Sequence, residues 1–312
     1  MERLGEVGEF GLIARLRAGL ATGPAALVGP GDDAAVVAAP DGRVVATTDL
    51  LVEGRHFRLD WSTPYDVGRK AAAQNLADVA AMGAVPTALL VGFGAPASLP
   101  VADAEAFARG LSDEAARAGA VVVGGDVVAC EQVVLAVTAL GDLGGRAPVP
   151  RSGARPGDLL VVAGTLGGSA AGLAALRAGV DGLAVVDAHR VPAPPYAAGP
   201  LLADAGATAM IDVSDGLTGD LAHVADASRV GFEVDVAALP RHPGLANAAN
   251  ALGADLVPWL LAGGEDHALV ATLPAPADGP WVVVGRAVAE PGIRWVGAEV
   301  VPESFDHFGG GS

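Results

Sequence analysis

Lysine is almost missing from this 312-residue chain: Lys70 is the only one. A phosphate-binding loop of the form Gly-x-x-x-x-Gly-Lys-Ser/Thr needs a lysine behind its glycines. Lys70 follows Arg69, so no such loop exists. Cysteine is equally scarce. Cys130 stands alone, which excludes a disulfide framework or a Cys-based zinc site within one chain and fits a reducing cytoplasm. Aromatic residues make up 4%, so the core must be built from Ala, Val and Leu. Only 19 basic residues face 36 acids, for a net charge of −17. That balance argues against nucleic acid or an anionic membrane surface as a partner. No secretory signal is visible, since the chain opens with Glu2, Arg3 and Glu6 and lacks an apolar run there. The longest uncharged stretch, Val79 to Ala102, is interrupted by Pro86, Pro96 and Pro100 and by Gly83, Gly92 and Gly94. It reads as helix end, strand and loop rather than a membrane span, and a soluble protein is expected.

Apolar residues are abundant at 52%, and strands alternate with helices along the whole length. The expected fold class is α/β (α+β) with two domains. A segment rich in Gly, Pro and Arg, Gly144 to Gly157, marks the boundary, giving domains 1–145 and 146–312. Val44 to Val52 reads as an apolar, β-branched strand. Tyr65 to Met82 reads as a helix capped by Ser62 or Thr63, and Ala102 to Ala118 as another stopped by Gly119. In the second half, Asp158 to Ala163, Thr208 to Ile211, Val230 to Val236, His267 to Leu273 and Trp281 to Gly285 read as strands. Ser169 to Ala178 and Leu217 to Ser228 read as helices.

Carboxylates gather beside small residues at the ends of apolar runs. The clusters are Gly31-Asp32-Asp33, Thr47-Thr48-Asp49, Gly124-Gly125-Asp126, Asp212-Val213-Ser214-Asp215 and Gly263-Gly264-Glu265-Asp266. Asp78 adds a further acid inside an alanine-rich helical stretch. Hard oxygen ligands of this kind suit Mg²⁺, and Mg²⁺ on a chain so poor in basic residues suggests nucleotide phosphate chemistry. Asp49 interrupts an apolar strand, where a buried carboxylate needs a partner; a strand-end acid in solvent is the plainer alternative. Gln74, Asn75 and Asp78 share one helical face. Gly124-Gly125-Asp126 is expected just after the strand Ala120 to Val123, where ligands of α/β proteins collect. Ser214 or Asp215 is as well explained as a cap for the helix that follows, which leaves Asp212 unexplained. The glycine-rich turn Gly164 to Ser169 could hold an anion, but tight turning and close packing explain it better.

Taken in order, these pieces resemble the thiamine-monophosphate kinase family of the aminoimidazole ribonucleotide synthetase-like superfamily. The resemblance also takes in Gly8-Glu9-Phe10, Val52-Glu53-Gly54-Arg55-His56-Phe57, Asn75-Leu76-Ala77-Asp78, Arg151-Ser152-Gly153-Ala154 and Phe305-Asp306-His307-Phe308, and so spans almost the whole chain. It implies transfer of the γ-phosphoryl group of ATP to thiamine monophosphate, giving thiamine diphosphate, on a homodimer paired through N-terminal domains. It implies several Mg²⁺ ions held by Asp33, Thr47, Thr48, Asp49, Asp78, Asp126, Asp212 and Asp215. Gly125, Asp126, Arg151 and Ser214 would contact ATP, and His56, Glu265 and Phe305 the thiamine substrate. No general base is assigned. The acids on either side of Arg151 would form the two halves of one metal cage, with Asp32 and Asp266 as structural neighbours. Ala77, Val127 and His267 depart from the residues usual in the family.

Two other readings compete. One is a different ATP-dependent enzyme of the same superfamily. Against it, the chain has no cysteine-bearing tail and no reactive cysteine near its N-terminus. The other is a non-catalytic nucleotide- or thiamine-binding regulator, against which the full set of acids argues.

Overall fold

The computed structural model describes residues 2–20, 23–28, 35–298 and 300. It divides into two units, Met1–Val79 with Ala84–Gly145, and Ala80–Gly83 with Arg146–Ser312.

The first unit contains helices α1 (Leu4–Ala18), α2 (Pro64–Ala81, all but its last two residues) and α3 (Val101–Arg117). Its strands are β1 (Ala26–Val28), β2 (Val36–Val37), β3 (Val45–Val52), β4 (Val85–Ala95), β5 (Val121–Ala129) and β6 (Val134–Asp142). Four of them form a sheet in the order β3-β6-β4-β5. Because strand side chains alternate faces, β6 buries Leu135, Val137 and Ala139 and leaves the residues between them half-exposed. Three phenylalanine rings of this unit meet in its interior. Phe107 of α3 lies 5.7 Å, centroid to centroid, from Phe93 in β4 and meets Phe57 edge-on at 6.5 Å. The opposite face leaves Leu50 54% and Leu90 36% exposed.

Helix α2 starts at Thr63, which exchanges hydrogen bonds with Asp66: the Asp66 amide donates to Thr63 Oγ1 and the Thr63 amide to Asp66 Oδ2. Its alanines Ala71, Ala72, Ala73 and Ala77 are fully buried, as a helix packed on several sides requires. Lys70 is buried with them, and its Nζ donates to the His56 carbonyl at 3.2 Å. Where α2 meets α3 the two backbones touch. A Cβ on Gly68 would lie 2.1 Å from the Phe107 carbonyl oxygen, and one on Gly110 would lie 2.1 Å from that of Tyr65.

The second unit contains β7 (Leu159–Ala163), α4 (Gly168–Arg177), α5 (Ala184–Arg190), α6 (Ala198–Asp204), β8 (Ala209–Asp212) and α7 (Leu217–Ser228). It continues with β9 (Gly231–Asp235), α8 (Leu245–Leu252), α9 (Val257–Ala262), β10 (Leu269–Leu273), β11 (Trp281–Val288) and β12 (Gly292–Val296). Its six-stranded sheet runs β12-β9-β11-β7-β10-β8. Only the β12–β9 pair is parallel. Strands β8 and β10 are buried along their whole length, including the polar side chains of Asp212 and Thr272. Phe232, Leu160, Leu217 and Leu221 anchor the core on one side of the sheet. Among the described residues no helix is long and apolar enough to cross a membrane.

Helices α1, α5, α8 and α9 and strand β12 lie where no regular element is expected from the sequence. The placement of Gly124-Gly125-Asp126 also differs: these residues lie inside β5, not after it. The glycines permit this. A Cβ on Gly125 would sit 2.0 Å from the Val91 carbonyl oxygen of the parallel neighbour β4, so only glycine lets the strand continue there.

Candidate functional site

In the first unit the candidate residues meet where β3 faces α2. Alternation along β3 turns Thr47 and Asp49 toward the helix. Helical spacing turns Gln74, Asn75 and Asp78 back toward the strand. The Thr47 hydroxyl donates to Asp78 Oδ2 at 2.9 Å, and Gln74 Nε2 donates to Asp49 Oδ2 at 3.1 Å. The Asp49 amide donates to Asn75 Oδ1 at 3.0 Å, while Asn75 Nδ2 donates to the Ala71 carbonyl. Asn75 is wholly buried and so serves as the fixed post of this network. Two carboxylates and a hydroxyl thus share one half-buried surface with a single neutral amide on Asp49, a set of hard oxygens suited to a divalent cation.

Thr48 does not join them. The same alternation sends its side chain to the open face of the sheet, where its hydroxyl donates to the Val137 carbonyl and accepts from Thr138. Asp126 is exposed on β5. Asp33 and Phe305 lie outside the described residues.

His56 follows β3 in a turn. The Val52 amide donates to its Nδ1 at 3.0 Å, so the neutral ring carries its proton on Nε2. That arrangement presents a donor at the far side of the ring.

In the second unit, Asp212 ends β8 and is 4% exposed. His267 Nδ1 lies 3.0 Å from its Oδ2, so the residue that departs from the family pattern is the partner of this acid. Ser214 and Asp215 do not cap α7. Asp220 does so from inside the first turn, its Oδ2 accepting the amides of Asp215 and Gly216 at 3.0 and 3.1 Å. Burial, reinforced by the nearby Asp212 charge, pushes Asp220 up to about 7. The loop before β10 runs antiparallel to 213–214, with the Glu265 amide donating to the Ser214 carbonyl at 2.7 Å and that of His267 to Val213 at 2.8 Å. Glu265 and His267 both hold left-handed backbone, at φ 64° and 52°. Non-glycine residues rarely do, and such strain gathers at functional sites. Arg151 is exposed, and its carbonyl accepts the Ser228 hydroxyl.

The glycine-rich turn before α4 does hold an anion, and it is Asp266. The amides of Gly167 and Ser169 donate to its two carboxylate oxygens at 2.5 and 3.0 Å. Asp266 is thus a helix cap supplied from almost a hundred residues away. Burial pushes it up to about 7 against the pull of those amides. A carboxyl raised from 3.8 stabilises the fold fully below its unfolded value and loses that contribution as pH rises through its folded one. Melting curves between about pH 4 and pH 8 should therefore fall more steeply with pH for the wild type than for Asp266→Asn, by at most about 1.4 kcal/mol per unit. Parallel curves would remove Asp266 as the source of that slope.

Among the described residues no three His, Cys, Asp or Glu side chains stand close enough together to hold a metal ion. Sequence reasoning missed Ser169, His189 and Asp220. For Asp220 a signal existed, an acid in the first helical turn. For Ser169 and His189 there was none beyond their residue types.

Comparison with known proteins places these residues in context. Residues 31–143 match the family model of the AIR synthase related protein, N-terminal domain, and residues 155–296 that of the AIR synthase related protein, C-terminal domain. The chain is 53% identical over 302 residues to the thiamine-monophosphate kinase of Mycobacterium tuberculosis, covering 94% of this chain and 91% of the relative. It resembles the crystal structure of thiamine-monophosphate kinase from Stenotrophomonas maltophilia K279a at a TM-score of 0.78 and 31% identity, over 92% of this chain and 96% of that one. The structure of AaThiL complexed with AMPPCP and TMP matches at a TM-score of 0.79 and 30% identity, over 99% of both chains.

Proposed function

From the premise that this chain belongs to the thiamine-monophosphate kinases of the AIR synthase related family, we infer that it phosphorylates thiamine monophosphate at the expense of ATP. An oxygen of the substrate phosphate attacks the γ-phosphorus of ATP, the bond to the β-phosphate oxygen breaks, and ADP leaves as thiamine diphosphate forms. A phosphate acceptor is already ionised at neutral pH, so the chain needs no general base. Its task is to hold two polyanions in line on a protein of net charge −17.

The observation that carries this reading is the oxygen face shared by Thr47, Asp49 and Asp78. We assign Mg²⁺ to these three together with Asp33, Asp126 and Thr48 in the N-terminal domain, 1–145, and to Asp212 and Asp215 in the C-terminal domain, 146–312. For Thr48 only a main-chain oxygen remains suited, since its hydroxyl is turned away. Bound Mg²⁺ would neutralise phosphate charge on a chain whose 36 acids already outnumber its 19 basic residues. Gly125, Asp126, Arg151 and Ser214 are assigned to ATP. Gly125 lies exposed on β5 beside Asp126, and Arg151 supplies a planar cation for phosphate oxygens. His56, Glu265 and Phe305 are assigned to thiamine monophosphate, with the protonated Nε2 of His56 as a donor. The apolar face bearing Leu50 and Leu90 is assigned to a second copy of the chain, forming a homodimer through N-terminal domains. A cytoplasmic setting accords with the lone cysteine.

Incubation of the purified protein with Mg-ATP and thiamine monophosphate should yield thiamine diphosphate and ADP in equal amounts. Absence of the diphosphate, with turnover of a formylglycinamidine-type nucleotide in its place, would move the chain to another branch of the superfamily.

A further inference from the structure

Behind Glu265, three side chains of the second unit converge from three separate elements. Ser169 opens α4, His189 lies in α5, and Glu265 sits in the loop before β10. The Ser169 hydroxyl is 3.0 Å from His189 Nδ1 and 3.3 Å from Glu265 Oε2. His189 Nδ1 itself is 3.4 Å from that same carboxylate oxygen. Ser169 is 1% and His189 7% exposed, while the Glu265 side chain keeps 34% of its surface open. Two buried groups therefore hold the inner edge of a carboxylate whose other side meets solvent.

The protons can be placed. A hydroxyl has one hydrogen, and the carboxylate can only accept, so Ser169 donates to Glu265. The serine oxygen is then an acceptor for His189, which must carry its proton on Nδ1. The chain of donors runs from His189 through Ser169 to Oε2. Its origin is rigid: the Ser169 amide is tied to Asp266 at 3.0 Å, so the first turn of α4 grips two successive residues of the loop, one by hydroxyl and one by amide. The same loop holds Glu265 at φ 64°. A backbone strained in this way stays put only when its surroundings over-determine it.

We propose that Ser169 and His189 are positioning residues that fix the plane of the Glu265 carboxylate and so set the affinity for the thiamine half of the substrate. This rests on the assignment of Glu265 to thiamine monophosphate. Fixing a carboxylate before binding removes the rotamer freedom that would otherwise be lost on binding. The benefit should appear in the recognition of one substrate and not in the transfer step.

Steady-state kinetics with thiamine monophosphate and ATP varied in turn, on Ser169→Ala, His189→Ala and His189→Asn, tests this. Asn places an amide N–H close to the position of Nδ1 and should rescue. Both alanine variants should raise KM for thiamine monophosphate about tenfold, with KM for ATP unchanged, kcat within about threefold and Tm near that of the wild type. His189→Asn should stay near the wild type. In a Glu265→Ala background the two alanine substitutions should add nothing further, because the group they orient is gone. If Glu265→Ala raises KM while Ser169→Ala and His189→Ala do not, or if these two raise both KM values equally, the positioning role is overturned and the assignment of Glu265 stands. If Glu265→Ala leaves KM unchanged, the assignment itself falls, and the positioning role with it.

Discussion

Asp49→Asn should lower kcat for thiamine diphosphate formation by about 10²–10³-fold while the protein stays folded. The size follows from what the substitution removes. Asp49 and Asp78 are both turned into the surface between β3 and α2, each with a neutral donor, Gln74 for one and Thr47 for the other. Both of these donors are neutral, and a divalent cation would supply the opposing charge that they do not. An asparagine keeps the shape of Asp49 and can still accept from Gln74. It loses the negative charge that the transferring phosphates need to have opposed by a cation. The main-chain bond from the residue 49 amide to Asn75 is untouched, so the strand should hold its place. Stability should stay near that of the wild type, since the shape and the main-chain bond are both kept. Melting temperature and turnover together decide the matter. A variant with near-normal turnover would remove Asp49 from the site, and one that unfolds would make its role structural.

The largest expected loss of stability comes from a single methyl group. Gly110→Ala should destabilise the N-terminal unit by about 3 kcal/mol. On helix propensity alone the change is favourable by about 1 kcal/mol, because glycine is a poor helix former. Packing reverses the sign. The new Cβ would lie 2.1 Å from the Tyr65 carbonyl oxygen and 2.9 Å from the Arg69 nitrogen, both backbone atoms that cannot rotate away. Relief requires α3 to move off α2. The reciprocal contact of Gly68 with Phe107 means that such a move also opens the second point of closest approach. It would loosen Phe107 from Phe57 and Phe93, the ring cluster at the heart of this unit. Chemical denaturation monitored on the N-terminal unit measures the loss, and stability equal to the wild type would show that the helices have slack at their crossing.

Local periodicity made some of this legible in the sequence, and distance hid the rest. The polar face of α2 could be read from the spacing of Gln74, Asn75 and Asp78, because a helix repeats within four residues. The separation of Thr48 from Thr47 and Asp49 was equally available, since strands alternate every residue, but reading Thr-Thr-Asp as one cluster obscured it. Gly124 and Gly125 signalled a break to any rule of local propensity. Both continue β5, and at Gly125 the backbone of Val91, more than thirty residues away in sequence, approaches too closely for a side chain. The cap of α4 by Asp266 and the grouping of Ser169, His189 and Glu265 join residues 20 to 99 positions apart. Nothing local encodes them. They exist because β7 and β10 are adjacent strands, which brings the loop before β10 against the turn that follows β7. The short helices α8 and α9, of 8 and 6 residues, held too few turns to show a period.

The solitary lysine has a practical consequence. Lys70 is 2% exposed and its ammonium is hydrogen-bonded inside the N-terminal unit. Amine-directed reagents should therefore leave every side chain of the folded protein unmodified. An acylated Lys70 would be a chemical record that this unit had opened, written at one known position. Mass spectrometry of a single peptide could then follow the breathing of one half of the molecule, with no label or probe introduced into it.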